Sequence, residues 1–502
     1  MKKELLKIKT LGGLKAAGYT SKTVKEEMRV NLISRIRSKE PVFEGILGYE
    51  DTVIPQIERA ILSKHNMILL GLRGQAKTRI ARLMVQLLDE YIPVIQGSDL
   101  NEDPLNPISS WAKEMISELG DKTPISWWHK GDRYTEKLAT PDVSVADLIG
   151  DVDPIKAANL KLDYSDEKVI HFGLIPRSHR GLFVINELPD LQPRLQVALF
   201  NMLQEGDIQI RGFKIRMDLD TQFIFTANPE DYTNRGAIIT PLKDRIESQI
   251  ITHYPKDIET SKKITQQEAS LSHEQRSSIS VHPLIEDLIE QIAFEARESE
   301  YIDQKSGVSA RLTISAYENL VSAVERRMLR NNEEQGYARI GDLYYVVPAI
   351  TGKVELLYEG EQEGATHIAQ HLIGKAIRTM FPTYFPDPEI FKKRKEMDNI
   401  YRPIVDFFSA NETELLSDIP VEEYDQTLNT IPGLNAVIKK YIPKADKEAK
   451  LLFMEFILHG LTEYSILSKN VMDTGLSFND LFSAVFSSGS EDEDYNDPSL
   501  YN

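Results

Sequence analysis

Residues 67–78 read MILLGLRGQAKT, a short apolar strand followed by a glycine-rich turn and the predicted start of a helix. Backbone N–H groups in such a turn, together with the helix N-terminus, form a cradle for phosphate groups. Lys77 is then expected to reach the β and γ phosphates of a nucleotide, and the Thr78 hydroxyl to bind Mg²⁺. The predicted phosphate-binding loop comprises Gly71, Leu72, Arg73, Gly74, Gln75, Ala76, Lys77 and Thr78.

The loop differs from the usual phosphate-binding pattern at one position. Ala76 stands where the last glycine is expected. Taken alone, the motif is also compatible with a glycine-rich turn that binds nothing. Its interpretation therefore depends on the elements that follow it along the chain.

A second element, GLFVINE at residues 181–187, is an apolar strand that ends in a carboxylate. Neighbouring strands of a parallel sheet deliver their carboxyl ends to the same edge, so Glu187 is expected beside the loop, where it would polarise an attacking water. Asn186 stands where such strands usually carry Asp. Thr78 and Asn186 are the predicted Mg²⁺ ligands, and the site has one negative charge fewer than a site with Asp at position 186. The alternative interpretation of this element alone is an ordinary strand end.

Three more residues complete the predicted site. Asn228 closes the strand of FIFTANPED, residues 223–231, and could hold the water or the γ-phosphate; a structural cap is the alternative. Arg245 ends a short predicted helix, where it could meet a neighbouring subunit's γ-phosphate or form a surface ion pair. Arg311 lies in the first turn of a helix, an unfavourable place for a cation unless an anion offsets it, although a solvated side chain is equally compatible.

Composition excludes several classes of site. The 502 residues contain 59 Lys plus Arg against 77 Asp plus Glu and no cysteine, for a formal net charge of −18. Thiolate nucleophiles and cysteine-based metal sites are excluded, and the acidic charge disfavours nucleic acid as a partner. No stretch approaches the roughly 18 unbroken apolar residues of a membrane helix, and the basic start lacks the apolar run of a signal peptide. We expect a cytoplasmic protein.

Strands at 66–72, 91–97, 181–187 and 222–229 alternate with helices, which predicts an α/β domain with a parallel, doubly wound sheet. Helices separated by loops follow it, and a Pro-rich stretch near residue 380 predicts a boundary. The predicted organisation is an N-terminal helical segment at 1–40, the α/β nucleotide-binding domain at 41–255 with an insert at about 99–181, a helical lid at 256–380, a C-terminal helical region at 381–486 and an acidic disordered tail at 487–502.

The order of these elements resembles the AAA+ ATPases of the MoxR and magnesium chelatase subunit I group. FEGILGYEDTV at 43–53 resembles the group's turn on the adenine side, GLRGQAKT its Walker A loop, and GLFVINELPDL at 181–191 its Walker B strand. The resemblance implies an AAA+ P-loop sheet domain with a helical lid. It also implies ATP and Mg²⁺ as ligands, Glu187 as catalytic base, Asn228 as sensor 1, Arg245 as arginine finger and Arg311 as sensor 2.

By the same resemblance, the chain is expected to form a ring, with a homo-hexamer as the expected state, that hydrolyses ATP to remodel or activate a partner protein in a chaperone-like manner. A separate protein with a von Willebrand factor A domain is the expected partner. Two alternatives stay open: a magnesium chelatase ATPase subunit for metal insertion into a porphyrin, and a nucleotide-binding scaffold that does not hydrolyse ATP. A transcription activator of the sigma-54 type is disfavoured because no helix-turn-helix module is recognisable.

Overall fold

The computed structural model describes residues 4–162, 167–209, 216–229, 238–393, 399–472 and 475–481. The chain divides into two compact units, Met1–Tyr254 (unit 1) and Pro255–Asn502 (unit 2). The predicted acidic tail at 487–502 lies outside the described residues. Each unit has its own core, and the sequence-predicted nucleotide-binding loop belongs to unit 1.

Unit 1 is a mixture of helices and strands. Its helices are α1 Leu11–Ala16, α2 Val24–Ser38, α3 Val53–Leu62, α4 Lys77–Leu83, α5 Ser110–Leu119, α6 Val145–Leu148, α7 Pro154–Leu160, α8 Leu174–Arg177, α9 Pro193–Ala198, α10 Phe200–Gln204 and α11 Thr240–Arg245. Its strands are β1 Met67–Leu70, β2 Tyr91–Ile95, β3 Ile125–His129, β4 Tyr134–Leu138, β5 Gly150–Val152, β6 Ile170–Phe172, β7 Gly181–Asn186, β8 Asp207–Gln209, β9 Arg216–Asp218, β10 Thr221–Ala227 and β11 Ser248–Ile251.

Five parallel strands form the central sheet of unit 1, in the order β11-β1-β10-β7-β4. The strand before the phosphate loop, β1, therefore lies between β10 and β11, and β7 follows on the other side of β10. The carboxyl ends of β1, β10 and β7 thus meet at one edge. This arrangement confirms the predicted α/β fold with a parallel sheet.

Both faces of the sheet are covered, which explains why its inner strands are continuously apolar. Alternate residues of β1 go to opposite faces: Met67 and Leu69 join a core with α2, α3 and α4, whereas Ile68 and Leu70 join a core with α9, α10 and α11. All seven residues of β10 are buried. The sheet is therefore a rigid platform for the loops at its carboxyl edge.

The structure differs from the sequence prediction in two strands. The predicted strand at 91–97 corresponds to β2, but it pairs antiparallel with β3 in a separate two-stranded sheet. The fifth strand of the central sheet, β4, comes instead from the stretch that we predicted to be an insert, and it pairs in parallel with β7. The pattern of β4 is concealed because its sequence, YTEKL, is polar and only partly buried at the sheet edge.

The N-terminal helical segment packs into unit 1. Thr23 caps α2 by accepting a hydrogen bond from the Glu26 N–H at 3.3 Å, as its cap-forming sequence predicts. Val24, Met28 and Leu32 of this helix are buried in the core on the α4 side of the sheet. The α2 helix is thus an integral part of the nucleotide-binding unit.

Unit 2 is mainly helical. Its helices are α12 Ile258–Glu268, α13 His273–Ser278, α14 Pro283–Glu298, α15 Arg311–Asn331, α16 Val347–Thr351, α17 Tyr358–Glu363, α18 Ala365–Tyr384, α19 Pro388–Lys393, α20 Arg402–Phe408, α21 Val421–Thr430, α22 Leu434–Tyr441 and α23 Lys447–Glu463. Its strands are β12 Ile279–Ser280, β13 Gly336–Tyr337, β14 Thr413–Leu416, β15 Leu467–Met472 and β16 Gly475–Asp480.

One apolar core extends through unit 2, from Leu284 to Phe478, and crosses the position near residue 380 at which the sequence predicts a boundary. The antiparallel sheet β14-β16-β15 adds strands to the region at 381–486 that is predicted to be helical. Within the described ranges, no helix is long and apolar enough to cross a membrane.

Candidate nucleotide-binding site

The phosphate loop connects β1 to α4 and needs special backbone conformations. Gly74 (φ 75°) and Ala76 (φ 57°) both lie in the left-handed region. A Cβ on Gly71 would overlap Thr252 Oγ1 and Gln75 Oε1, so this position excludes a side chain. Ala76 therefore adopts the backbone conformation that a glycine would adopt at this position, at a strain of roughly 1–2 kcal/mol.

Residues outside the motif hold the loop in place. The Thr252 hydroxyl donates to Gln75 Oε1 at 2.7 Å, and the Tyr254 hydroxyl donates to the Arg73 carbonyl at 2.8 Å. The Tyr49 hydroxyl lies 3.1 Å from the Gln75 carbonyl oxygen, and burial raises the pKa of this phenol to about 12. Sequence reasoning missed these anchors because they lie far from the loop along the chain, although Tyr49 belongs to the segment at 43–53 quoted above.

Lys77 is the first residue of α4, and its side chain is 7% exposed. Its ammonium donates to the Gly71 carbonyl, to the Leu72 carbonyl at 3.0 Å and to Asn228 Oδ1 at 3.1 Å. The structure thus brings together the predicted phosphate-binding cation and the predicted sensor residue. The ammonium therefore lies against the loop backbone, where a phosphate could replace the carbonyl oxygens as its acceptor.

The end of β7 is connected to β10 by side chains. Thr226 Oγ1 donates to Asn186 Oδ1 at 3.1 Å and accepts a hydrogen bond from the Glu187 N–H at 3.2 Å. Glu187 has left-handed backbone angles, φ 53° and ψ 52°, directly after the strand. A single threonine therefore fixes both the amide of Asn186 and the backbone of Glu187.

Asn186 also contacts a carboxylate that sequence reasoning missed. Its Nδ2 donates to Glu136 Oε1 at 2.5 Å. Burial by itself raises the pKa of Glu136, but hydrogen bonds from Arg82, Tyr134 and Asn186 outweigh it and hold this pKa below its ordinary value. Glu136 was overlooked because β4 was not recognised as a strand of the central sheet.

The two predicted arginines lie in different units. Arg245 ends α11, and its guanidinium donates to Gln204 Oε1 at 3.0 Å and to the Pro241 carbonyl at 2.7 Å, and lies 4.7 Å from the ring centre of Phe200. These contacts hold it against α10 at the surface of unit 1. Arg311 is the first residue of α15 in unit 2 and is exposed, which agrees with its predicted place in the first turn of a helix.

The oxygen donors fit a nucleotide-bound magnesium ion. Thr78 lies in the first turn of α4, and Asn186 presents an amide oxygen at the end of β7. Among the described residues, no group of three or more His, Cys, Asp or Glu could hold a metal ion. Mg²⁺ takes oxygen ligands, usually one or two carboxylates together with substrate phosphates and water, and here a hydroxyl and an amide oxygen stand in place of the carboxylates.

Comparisons with known proteins place the chain among related sequences. No protein-family profile matches it. The magnesium-chelatase 38 kDa subunit of Rhodobacter capsulatus is 25% identical over 222 residues, which cover 43% of this chain and 57% of the relative. The same subunit of Cereibacter sphaeroides is 25% identical over 225 residues, which cover 43% and 60% respectively. The matches thus span less than two thirds of these relatives.

Among solved structures, one match is the complex between the BchI and BchD subunits of magnesium chelatase. The matched chain is 19% identical and covers 64% of this protein and 98% of that chain, with a TM-score of 0.33. The sequence matches, together with the sheet order and the loop described above, support an AAA+ ATPase of the chelatase/MoxR group.

Proposed function

We propose that this protein is a ring-forming ATPase that couples MgATP hydrolysis to remodelling or activation of a partner protein. One observation carries the proposal: the Lys77 ammonium, at the N-terminus of α4, contacts Asn228 at the end of β10. A cation and an amide that converge on a phosphate cradle are suited to hold a γ-phosphate. The sequence relation to magnesium chelatase subunits supports the same chemistry.

The roles of the binding residues follow from their positions. Lys77 binds the β and γ phosphates, while backbone N–H groups from Gly71 to Thr78 surround them. Thr78 and Asn186 offer oxygen ligands to the Mg²⁺ that enters with ATP. Binding therefore exchanges the carbonyl contacts of Lys77 for stronger, charge-assisted hydrogen bonds to phosphate.

Hydrolysis needs a base and a group that positions the γ-phosphate. Glu187 is the proposed base, which orients and deprotonates the attacking water, because its backbone is held by Thr226 beside the loop. Asn228 is the proposed sensor, since it already contacts Lys77. Arg311 of unit 2 stays a proposed second sensor for the nucleotide.

The first experiment separates binding from turnover. Lys77→Ala should abolish ATP binding, whereas Glu187→Gln should keep binding and lose phosphate release by about 10²-fold or more. Lys15→Ala is a matched control, because Lys15 is an exposed lysine paired with Asp121 at 2.9 Å. Normal hydrolysis by Glu187→Gln would refute the catalytic assignment. ATP binding with no phosphate release by the unmodified protein would establish a non-hydrolysing scaffold instead.

Ring formation, with a homo-hexamer as the proposed state, is tested through Arg245. Its contacts with Gln204 and Pro241 hold the guanidinium at the surface, where it could serve the site of a neighbouring copy. Activity per subunit should rise with protein concentration. Mixing Arg245→Ala chains with Lys77→Ala chains should recover part of the activity, because some interfaces then combine an intact loop with an intact arginine. No recovery at any mixing ratio would contradict a shared site.

The partner is proposed to be a separate protein with a von Willebrand factor A domain. Both curated relatives are subunits of a larger enzyme, which supports a second polypeptide as the partner. Affinity purification with Glu187→Gln in MgATP should enrich such a partner, and EDTA, applied after the nucleotide has been crosslinked, should release it. Enrichment of unfolded or unrelated chains alone would indicate a general unfoldase.

A magnesium chelatase ATPase subunit is the second candidate, favoured by both curated relatives. Its test is ATP-dependent Mg²⁺ insertion into a porphyrin in the presence of the other chelatase subunits. Insertion above the level given by Lys77→Ala would support this function. ATP hydrolysis without insertion would leave the remodelling function as the better description.

A further inference from the structure

Glu136 lies on the edge strand β4, next to the strand that carries Asn186 and Glu187. In the register of the two parallel strands, Glu136 is opposite Val184, and Leu138 is opposite Asn186. Side chains two positions apart share a face of a strand, so Glu136 and Asn186 are diagonal neighbours on the face that packs against α4. Their contact of 2.5 Å follows from this placement.

Glu136 is also bound to the phosphate-loop helix. Arg82 on α4 donates to both carboxylate oxygens, at 2.9 and 3.2 Å, and the Tyr134 hydroxyl donates to Oε2 at 2.9 Å. Arg82 lies four residues after Thr78, so the two side chains occupy the same face of the helix one turn apart. A single carboxylate thus connects the loop helix to the end of β7.

Glu136 sets the direction of the hydrogen bonds that lead through Asn186 and Thr226 to the backbone of Glu187. An ionised carboxylate only accepts, so the NH₂ group of Asn186 faces Glu136 and its oxygen faces Thr226. The Thr226 hydroxyl donates to that oxygen, which leaves its lone pair to accept from the Glu187 N–H. The order of donors and acceptors runs without a break from the edge strand to the backbone of the proposed base.

We propose, on the basis of the nucleotide site proposed above, that Glu136 is a positioning residue for the magnesium nucleotide. It places the carboxylate that position 186 lacks on the neighbouring strand, and it orients the Asn186 amide and, through Thr226, the backbone of Glu187. The negative charge of the site is therefore not lost, because it is carried by Glu136 on the neighbouring strand instead of by residue 186.

The contact between Glu136 and Asn186 predicts the effect of introducing the usual aspartate at position 186. Asn186→Asp alone would place two carboxylates in direct contact, where like charges repel and no proton donor lies between them. The variant should therefore bind the magnesium nucleotide more weakly, although Asp is the usual residue at that position. Combining it with Glu136→Gln exchanges the carboxylate and the amide between the two strands, so that the amide introduced on β4 can donate to the carboxylate introduced on β7.

The experiment is a double-mutant cycle on the full chain. A fluorescent ATP analogue reports nucleotide binding, and the Mg²⁺ concentration at half-saturation is measured for each protein. Glu136→Gln and Asn186→Asp should each raise that concentration about 10-fold, as for residues that orient metal ligands. The double variant should return to within about twofold of the unmodified protein, because the two changes are coupled.

Arg82→Gln is the matched control, because it removes the ion pair with Glu136 and keeps the contact with Asn186. Its side chain is 63% exposed, so its Mg²⁺ dependence should stay within about twofold of the unmodified protein. If Glu136→Gln lowers the melting temperature but leaves the Mg²⁺ dependence unchanged, Glu136 is only structural and the proposal fails. A double variant no better than the worse single variant would also overturn it.

The same measurements distinguish this inference from the proposed function. If the unmodified protein binds ATP and Lys77→Ala does not, the nucleotide site stands, and unchanged Mg²⁺ dependence in Glu136→Gln refutes only the role of Glu136. If the unmodified protein binds no nucleotide, both proposals fall. Glu136→Gln is nearly isosteric, so it decides the question even if Asn186→Asp does not fold.

Discussion

The two ends of the central sheet use buried polar groups in opposite ways. At the amino end, Arg133, Arg180 and Asp220 each come directly before a strand, and Glu27 of α2 contacts Arg133. At the carboxyl end, the buried charge is Lys77, the predicted phosphate-binding residue, which contacts Asn228. Both ends contain buried charged side chains, but the atoms that satisfy them differ.

At the amino end, two of the buried charges satisfy one another and the other two are bonded to the backbone. Arg133 donates to both oxygens of Glu27, at 2.7 and 2.6 Å, and to the Arg180 carbonyl at 2.9 Å. Arg180 donates to the Pro93 carbonyl at 2.7 Å, and both oxygens of Asp220 accept from one backbone N–H of α2. Each of these groups is bonded to a fixed part of the fold, so removing one partner would destabilise the folded state.

At the carboxyl end, two carbonyl oxygens and one amide oxygen accept hydrogen bonds from the Lys77 ammonium. Neutral acceptors can be displaced by phosphate, which binds an ammonium more strongly. Lys77 differs from the buried arginines at the amino end because it also begins the helix that follows a glycine-rich loop, where phosphate can replace its acceptors. Changes at the amino end should therefore affect stability, and changes at the carboxyl end should affect binding.

The largest expected effect is on stability at the amino end. Arg133→Met leaves Glu27 buried without its partner and should lower the free energy of unfolding by about 3–5 kcal/mol. All three tryptophans lie in unit 1, so urea unfolding followed by their fluorescence measures this unit. The Glu27→Met/Arg133→Met double variant should be less destabilised than the single one. A weaker ATP affinity in folded Arg133→Met would contradict the expectation that changes at the amino end affect stability and not binding.

The second effect is on binding at the carboxyl end. Lys77→Met should weaken ATP binding at least about 100-fold, since it removes charge-assisted hydrogen bonds of about 1.5–3 kcal/mol each. The free energy of unfolding should change by no more than about 1 kcal/mol, because an apolar side chain of similar length replaces a buried cation. Equilibrium titration and urea unfolding measure the two quantities. A large loss of stability would show that Lys77 is structural, like the charges at the amino end.

The third effect is the pH dependence of stability at the amino end. Burial lowers the pKa of His179 to about 3, and its Nδ1 accepts the Asp220 N–H at 3.0 Å. The unfolded chain binds this proton near pH 6.5, so the folded state loses stability as the pH falls below 6.5, by about 2 kcal/mol at pH 5. His179→Asn should therefore lose less stability than the unmodified protein between pH 7 and pH 5.

Asp220 contributes to the same pH range with the opposite sign, because burial raises its pKa to about 6 and its stabilisation is lost as the pH rises from about 4 to 6. It titrates in both proteins, so the difference between their unfolding curves isolates His179. Identical pH dependence of the two proteins would show that His179 has the same pKa in the folded and unfolded states.

The smallest effect concerns the loop. Ala76→Gly relieves a left-handed alanine at φ 57° but adds the conformational entropy of glycine to the unfolded chain. These contributions oppose each other, so the melting temperature should change by an amount equivalent to about 1 kcal/mol or less. ATP affinity should stay within about threefold of the unmodified protein. A large gain in affinity would mean that Ala76 distorts the cradle.

Local sequence was sufficient for the elements that are continuous along the chain. The strand, turn and helix at 67–83, the apolar strands β7 and β10, and the capped helix α2 carry their own periodicity and turn residues. The α/β fold with a parallel sheet is predicted from these signals, whereas the contact between Lys77 and Asn228 is a finding of the structure. The roles of all the predicted site residues, among them Lys77, Glu187 and Asn228, stay predictions.

The contacts that complete the site come from distant parts of the chain, and they were decided by the tertiary structure alone. Glu136 meets Asn186 across 50 positions of sequence, and Thr252 meets Gln75 across 177. Strand β4 lacks a readable pattern because an edge strand is covered incompletely, so burial does not force it to be apolar. Local sequence patterns are sufficient to locate the phosphate loop and the buried strands β1, β7 and β10. Only the packing of the sheet decided which carboxylate stands beside Asn186, because a pairing between strands is set by their neighbours in space.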